Sequence, residues 1–395
     1  MKTVCIAGKN NIAVDILSFL RRKYSQKFNF VAVCNKTDLG TDSFQRSFKR
    51  YCADHGVEIK SLEDLYSLED LIFISLEFDR IVVPSRFRTD KLFNIHFSLL
   101  PAYKGMFTSV FPILNGEKFA GVTFHRINAG IDTGEIIAQK KFKIDSDDTC
   151  RDLYFKFIKA GTRLVRRNLA SVLAGTEKSF PQPAKGSSYY SKKTIDFKSL
   201  KIDLNQTADN IRRQIRAFSF REYQMPVVFG ETVICCEITN CPSVKKPGEV
   251  LKKTEHSQTI STIDYDVVLH KDRTNDLLKA CCDGDLETVI GICSVREHLG
   301  TSNARGWTPL IVATYNNQKE IVDYLLSSGT DIFATNNNGC NLLMYAKDAY
   351  LNTGDNTLFK RFYNLGLSPK TKDFSDRDLY FYLKKQNLSL RELLS

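Results

Sequence analysis

The sequence predicts an α/β protein in three parts: a mostly parallel sheet flanked by helices, a small and mostly β subdomain, and an α-helical repeat module. Three observations carry this expectation. The first third of the 395 residues alternates short apolar runs with helical patterns, the middle holds only short β-like runs, and the last third repeats itself every 33 residues. The boundaries expected on this basis are 1–197, 198–271 and 272–395.

Residues 3–7 (TVCIA), 29–34 (NFVAVC), 71–75 (LIFIS) and 92–96 (LFNIH) are short apolar runs that read as buried strands. Between them, 11–23 and 43–54 carry apolar residues at helical spacing, as in Ile12, Ile16, Leu17 and Leu20. Strand–helix alternation implies βαβ units and a parallel sheet, whose ligands collect at the carboxyl ends of the strands. The first strand ends in Gly8-Lys9-Asn10-Asn11, which lacks the G-x-G-x-x-G spacing that lets a backbone approach a dinucleotide pyrophosphate. NAD binding is therefore disfavoured. Two more strand patterns, 121–127 and 136–144, precede a long helix over 149–173, and a Pro-, Gly- and Ser-rich loop closes the first part. A helix over 207–218 then leads into β-like runs at 227–229, 232–238, 259–263 and 266–270.

In the last third, Gly306-Trp307-Thr308-Pro309-Leu310 is followed 33 residues later by Gly339-Cys340-Asn341-Leu342-Leu343, and Ala280, Ala313 and Ala346 keep the same spacing. This pattern, with GTDIFATNNNG where a β-turn should join helix pairs, resembles ankyrin repeats. About three repeats and a cap over 374–394 fit the length, with an insertion around 352–355 disturbing the third.

Composition excludes several classes. With 43% hydrophobic and 26% charged residues the chain is neither disordered nor fibrous. The eleven cysteines include the adjacent pairs Cys235–Cys236 and Cys281–Cys282 but no C-x-x-C, so reduced packing thiols and no metal are expected. The start, MKTVCIAGKN, lacks the apolar stretch of a signal peptide, and no run approaches the roughly 20 apolar residues of a membrane span; a cytoplasmic protein is expected. The net charge of +11 is compatible with nucleic acid, a small phosphorylated substrate or a solvated surface.

The chemistry concentrates in Asn94-Ile95-His96-Phe97-Ser98-Leu99-Leu100-Pro101-Ala102-Tyr103-Lys104-Gly105 and in His125 to Ile137, which contains Asp132-Thr133-Gly134. Asn94 and His96, two apart on a strand, share a face. Asp132 sits on a glycine-flanked loop between two strands. His125 alternates along its strand and reads as structural, and His55, His256, His270 and His298 have no evident role.

Together the two segments resemble the formyltransferases that use N10-formyltetrahydrofolate, through Asn-x-His…Ser-Leu-Leu-Pro and the following Asp-Thr-Gly loop, over roughly the first 200 residues. The resemblance implies a Rossmann-like sheet, N10-formyltetrahydrofolate as formyl donor, and Asn94, His96 and Asp132 as the catalytic set. The chemistry is coherent without it. Formyl transfer to an amine passes through an oxyanion, to which an Asn side chain can donate, while a histidine near neutral pKa can take the amine's proton and an Asp can orient it.

Ile215 to Pro226 (IRAFSFREYQMP) resembles the sugar-nucleotide branch of the family. Lys104 and Arg216 are then expected to meet a pyrophosphate, with Tyr103, Phe218 and Tyr223 (Phe220 or the Tyr189-Tyr190 pair being further candidates) around the nucleotide. Folate is expected against backbone 76–83 and the Asp132 loop, with Phe78 and Ile81 lining it. The branch implies a nucleotide-linked amino sugar as partner, a dTDP-3-amino-3,6-dideoxyhexose over its 4-amino isomer, for O-antigen or other surface polysaccharide. Neither nucleic acid nor a membrane is expected as partner; a homodimer is one expectation for the assembly. Methionyl-tRNA formylation is the alternative, although a basic C-terminal barrel would then be expected; an ankyrin interaction protein with an inactive enzyme domain is the second. Trp307, the only tryptophan, is expected to be a packing or partner-contact aromatic of the repeats, the sharper alternative being that it stacks on a ligand at an auxiliary site.

Overall fold

The computed structural model describes residues 1–395. Five parallel strands and two antiparallel ones build the first sheet, in the order β3-β2-β1-β4-β5-β7-β8. They are β1 (Thr3–Gly8), β2 (Asn29–Cys34), β3 (Glu58–Ile59), β4 (Leu71–Leu76), β5 (Leu92–His96), β7 (Phe119–Arg126) and β8 (Ile136–Lys143), while β6 (Lys104–Gly105) pairs apart with β9 (Tyr189–Tyr190). Helices α1 (Asn10–Tyr24), α2 (Phe48–Asp54), α3 (Phe111–Leu114) and α4 (Cys150–Ala174) complete this part. The chain runs from β1 outwards to β3 and then returns to the other side of β1 as β4. The switch point between β1 and β4 therefore opens a crevice at their carboxyl ends. A Cβ on Gly8 would lie 1.9 Å from the Leu76 carbonyl oxygen, so only glycine lets the two strand ends meet there.

One face of the sheet buries Val4, Ile6, Ile72, Ile74, Phe93 and Ile95 beneath α1 and α4; the other buries Cys5, Ala7, Val31, Val33 and Phe73. Continuous apolar strands are what a sheet covered on both faces requires. Helix α4 begins with a capping box between Thr149 and Asp152 and ends at Gly175 in the left-handed region.

Two expectations need correction. The helix expected over 43–54 starts only at Phe48, because Ser47 caps it by accepting from Arg50 N, and Asp38 and Asp42 bind the preceding turn. The segment 175–194 does more than close the first part. Ser188 accepts from the main chain of Tyr103 and Lys104, and Tyr190 O from Met106, which lays β9 along the loop after β5.

Beyond this, α5 (Ala208–Ala217) packs on a five-stranded sheet ordered β10-β11-β14-β13-β12: β10 (Val227–Val228), β11 (Glu231–Pro242), β12 (Val250–Lys253), β13 (Ser257–Ile260) and β14 (Tyr265–Lys271). Ile211 and Ile215 meet Val233, Ile260 and Leu269 in its core.

Eight helices follow in four antiparallel-type pairs: α6 (Thr274–Asp283) with α7 (Leu286–Cys293), α8 (Pro309–Tyr315) with α9 (Lys319–Ser327), α10 (Leu342–Thr353) with α11 (Thr357–Asn364), and α12 (Leu379–Lys385) with α13 (Leu390–Leu394). The insertion around 352–355 lengthens α10 to 12 residues, against 7 in α8. All four pairs share one core, in which Leu310, Leu343, Phe359 and Leu393 are buried.

Both ends of this stack touch the rest of the chain. At its start, Arg221 Nη1 lies 2.6 Å from Asp272 Oδ2. At its end, Ser375 Oγ accepts from Arg50 Nη2 at 3.1 Å, Asp376 Oδ2 lies 3.4 Å from His55 Nε2, and Arg46 sits 5.5 Å over the Phe374 ring. A polar cavity of about 410 Å³ remains between α2 and the 372–376 loop. The eleven cysteines are all free thiols, and no helix is long and apolar enough to cross a membrane.

Because Phe359 is fully buried in the common repeat core, Phe359→Ala should cost about 3–5 kcal/mol. Chemical denaturation would show it as an earlier unfolding transition; an unchanged midpoint would contradict a shared core.

Candidate functional site

The Asp132 carboxylate gathers four groups at the carboxyl end of β5. Asp132 Oδ1 lies 3.4 Å from Asn94 Nδ2 and 3.6 Å from His125 Nε2. Its Oδ2 lies 3.4 Å from His96 Nδ1 and accepts from Gly105 N at 2.9 Å. The loop that carries it is held from below. Gln182 Nε2 donates to the carbonyls of Asp132 and Gly134, and Asn128 Oδ1 accepts from Gly130 N and Thr133 Oγ1. Asp132 itself has φ 54°, a left-handed conformation that Asp tolerates better than most residues. At Gly134 an added Cβ would sit 1.7 Å from the Arg126 carbonyl oxygen, so the turn requires glycine.

The hydrogen bonds fix each tautomer. His96 Nε2 lies 2.8 Å from the Tyr103 carbonyl, so it carries the proton and donates, and Nδ1 is the basic nitrogen facing Asp132. His125 Nδ1 lies 2.7 Å from the Arg126 carbonyl and donates to it, so His125 Nε2 accepts from Asn94 Nδ2 at 3.1 Å. One Asn94 N–H is thereby committed to His125, and the other remains for Asp132 or a ligand.

Burial lowers the pKa of His96 and outweighs the neighbouring Asp132 charge, which pulls the other way. Burial also opposes ionisation of Asp132, but His96, His125 and the Gly105 N–H together hold its carboxyl down to about 2. Near neutral pH the pair is thus a neutral imidazole beside a carboxylate.

The structure brings together Asn94, His96 and Asp132, and it adds His125, to which the sequence reading gave a structural role. The pairing of β5 with β7, which sets His125 opposite Asn94, is what brings it in. Phe78 packs 6.2 Å from Phe73, whereas Ile81 is 74% exposed on the loop after β4. No main-chain N–H between Phe78 and Val83 donates to another main-chain group, which leaves that edge available to a ligand. Lys104 Nζ donates to Ser187 Oγ. Tyr103 lies against Tyr190, its hydroxyl donating to Glu117. Tyr223 is 58% exposed at the edge of an aromatic group with Phe44 and Phe220.

Two residues expected at the nucleotide are placed otherwise. The Arg216 guanidinium donates to the carbonyls of Asp148 and Asp145, tying α5 to the turn before α4, and Phe218 is buried in the main core beside Phe197. Phe218 thus presents no face to a ligand, and two of the Arg216 donors are committed to main-chain carbonyls. Trp307 lies apart from this cleft, half-buried in the repeats with its ring 5.4 Å from Tyr315 and 5.2 Å from Tyr345.

A doubly covered sheet ending in an Asn, two histidines and a carboxylate, with no nucleophilic side chain among them, defines a group-transfer site acting on an incoming nucleophile. Residues 78–169 match the formyl transferase family and 269–356 match ankyrin repeats in three copies. WlaRD, a sugar 3N-formyltransferase solved with dTDP and 5-N-formyl-THF, is 42% identical over 69% of this chain and 98% of its own, with a TM-score of 0.64. An N-formyltransferase from Helicobacter canadensis, solved with folinic acid and dTDP-3-aminofucose, is 41% identical over 69% of this chain and 100% of its own, with a TM-score of 0.63. A methionyl-tRNA formyltransferase from Fervidobacterium nodosum is 29% identical over 66% of this chain and 87% of its own. The chain belongs to the N10-formyltetrahydrofolate-dependent formyltransferase family; it is an N-formyltransferase with a C-terminal set of ankyrin repeats.

Gly134→Ala should push the Asp132 loop away from β5. A displacement near 1 Å commonly costs about 100-fold in turnover, so steady-state formylation should fall to that extent while circular dichroism stays unchanged. Wild-type turnover would show that the loop tolerates the Cβ.

Proposed function

We propose that the chain transfers the formyl group of N10-formyltetrahydrofolate to the amino group of a dTDP-3-amino-3,6-dideoxyhexose. The observation that carries this is its 41–42% identity, over 69% of this chain and 98–100% of theirs, to enzymes solved with dTDP or dTDP-3-aminofucose. The product is a nucleotide-activated formamido sugar, the kind of building block that surface-polysaccharide synthesis consumes.

The donor supplies an electrophilic formyl carbon; the amine's attack puts negative charge on the formyl oxygen and positive charge on the nitrogen. Asn94 Nδ2, aligned by His125, donates its second N–H to that oxygen. His96 Nδ1 takes the proton from the nitrogen, and the ionised Asp132 stabilises the imidazolium. The same proton is then returned to the departing nitrogen of the donor as its bond to carbon breaks. Burial of His96 keeps water from competing for the transfer. The free main-chain edge at 78–83 and exposed Ile81 would hold the folate, while Lys104 would meet the pyrophosphate and Tyr223 the base.

Incubation with N10-formyltetrahydrofolate and dTDP-3-amino-3,6-dideoxyglucose should give a product heavier by one formyl group in the mass spectrum. Formylation of charged tRNA with no sugar product would overturn the reading. In the same assay Asn94→Ala should lower kcat by about 10²–10³, and His96→Asn should lower it by a comparable factor with the fold intact.

The sign of the pH dependence follows from His96. Protonation as the pH falls removes the base, and its pKa is lowered, so kcat/KM should carry an acid limb with a midpoint below about 6.5. That limb should be separate from ionisation of the acceptor amine and absent in His96→Asn; a midpoint above the ordinary imidazole value would exclude His96 as a neutral base.

A further inference from the structure

At the β1–β4 switch point a half-buried carboxylate remains that the transfer chemistry does not use. Glu77 follows directly on β4, and since Ser75 pairs with Asn94 and Leu76 with Ile95, it stands level with His96 on the next strand. It is held there by dedicated contacts. Its main chain is left-handed, with φ 58°, and its carbonyl accepts from the buried Asn35 Nδ2 at 2.8 Å. Its Oε1 accepts from Tyr154 OH at 2.7 Å and its Oε2 from Asn10 Nδ2 at 3.2 Å. Tyr154 OH in turn accepts from Gln45 Nε2 at 2.7 Å and from Asn10 Nδ2 at 3.0 Å. Asn10, across the crevice, is also left-handed, with φ 66°. Two strained non-glycine residues facing one another at strand ends are the kind of feature that collects at ligand sites.

The carboxylate is unusual in what it lacks. No cation lies within 4 Å of Glu77, although buried carboxylates are normally paired. Burial raises its pKa, opposed by the Tyr154 hydrogen bond, the Lys9 charge beyond ion-pair distance and the Asn10 hydrogen bond. A carboxylate has about four lone-pair sites, and two of those on Glu77 are occupied by protein donors. The remaining ones have no protein donor, and the Glu77 charge acts on Tyr223, whose ring packs on Phe44 and Phe220. An acceptor-only group beside aromatic side chains, one strand away from His96, suits a ligand rich in hydroxyl donors.

We infer that Glu77 is the specificity-determining residue for the acceptor sugar: its carboxylate accepts a hydrogen bond from a ring hydroxyl of the hexose, and Tyr154, Asn10 and Asn35 are positioning residues that hold it in place. This rests on the amino-hexose reading of the acceptor. The arrangement fixes the ring, and hence the direction from which its amine reaches the formyl carbon.

The test uses Glu77→Gln, which keeps the shape and an acceptor for Tyr154 while removing the charge, in the full chain. Calorimetric binding of dTDP-3-amino-3,6-dideoxyglucose without donor should weaken about 10–100-fold, as expected for a hydrogen bond to a charged group. Acceptor KM should rise with it and donor KM should stay unchanged. Tyr154→Phe should show a smaller shift of the same kind. The 2-deoxy and 4-deoxy analogues identify the hydroxyl: for one of them wild type and Glu77→Gln should bind alike. Equal losses for every analogue, or a change in donor KM alone, would overturn the inference and make Glu77 a structural clamp. Wild-type protein that formylates the sugar while Glu77→Gln binds it normally would overturn the inference alone. Wild-type protein that neither binds nor formylates it would overturn the acceptor reading, and the inference with it.

Discussion

Three pieces of chain meet at the Asp132 carboxylate, β5 through Asn94 and His96, β7 through His125 and β6 through the Gly105 N–H, while Gln182 holds the loop from behind by donating to the Asp132 main-chain carbonyl. A charge buried this deeply costs several kcal/mol unless it is matched. The match here is made by groups that also belong to the reaction centre, so assembling the site and settling the charge are one event. The left-handed φ of Asp132 and the glycine at 134 follow from the need to aim that carboxylate inward.

The same economy appears at the other end of the cleft. Asn10, Gln45, Tyr154 and Glu77 come from four separate stretches and share a single set of hydrogen bonds across the mouth of the β1–β4 crevice. One polar network orders the reacting groups and a second orders the pocket beside them. They sit at the ends of two adjacent, buried and apolar strands, β4 and β5, whose pairing keeps their separation constant.

Much of this was legible in the sequence. Apolar runs placed the parallel strands, and Asn94, His96 and Asp132 were identified by alternation and by a glycine-flanked turn. The 33-residue spacing located the repeats. What periodicity could not reveal were long-range side-chain contacts. Arg216 and Phe218 looked available for a nucleotide until carbonyls of Asp145 and Asp148 and the main core claimed them. His125 looked structural because its value depends on which residue β5 places opposite it. Glu77 carried no motif signal, since its conformation is set by Asn35 and Tyr154, which lie 42 and 77 positions away. The onset of α2 was misplaced because Asp38 and Asp42 bind the turn that should have been its first.

The contact between Arg50 and Ser375 spans 325 positions of sequence. Repeat stacks usually end free, each unit touching only its neighbours, and they flex like springs. This one is fastened at both ends, by Asp272 to Arg221 and by the 374–376 loop to α2. The stack and α2 are thereby tied to one another. The segment leading into α2 also carries Gln45, whose amide holds Tyr154. The repeats act mechanically as a strut, with one foot beside the crevice.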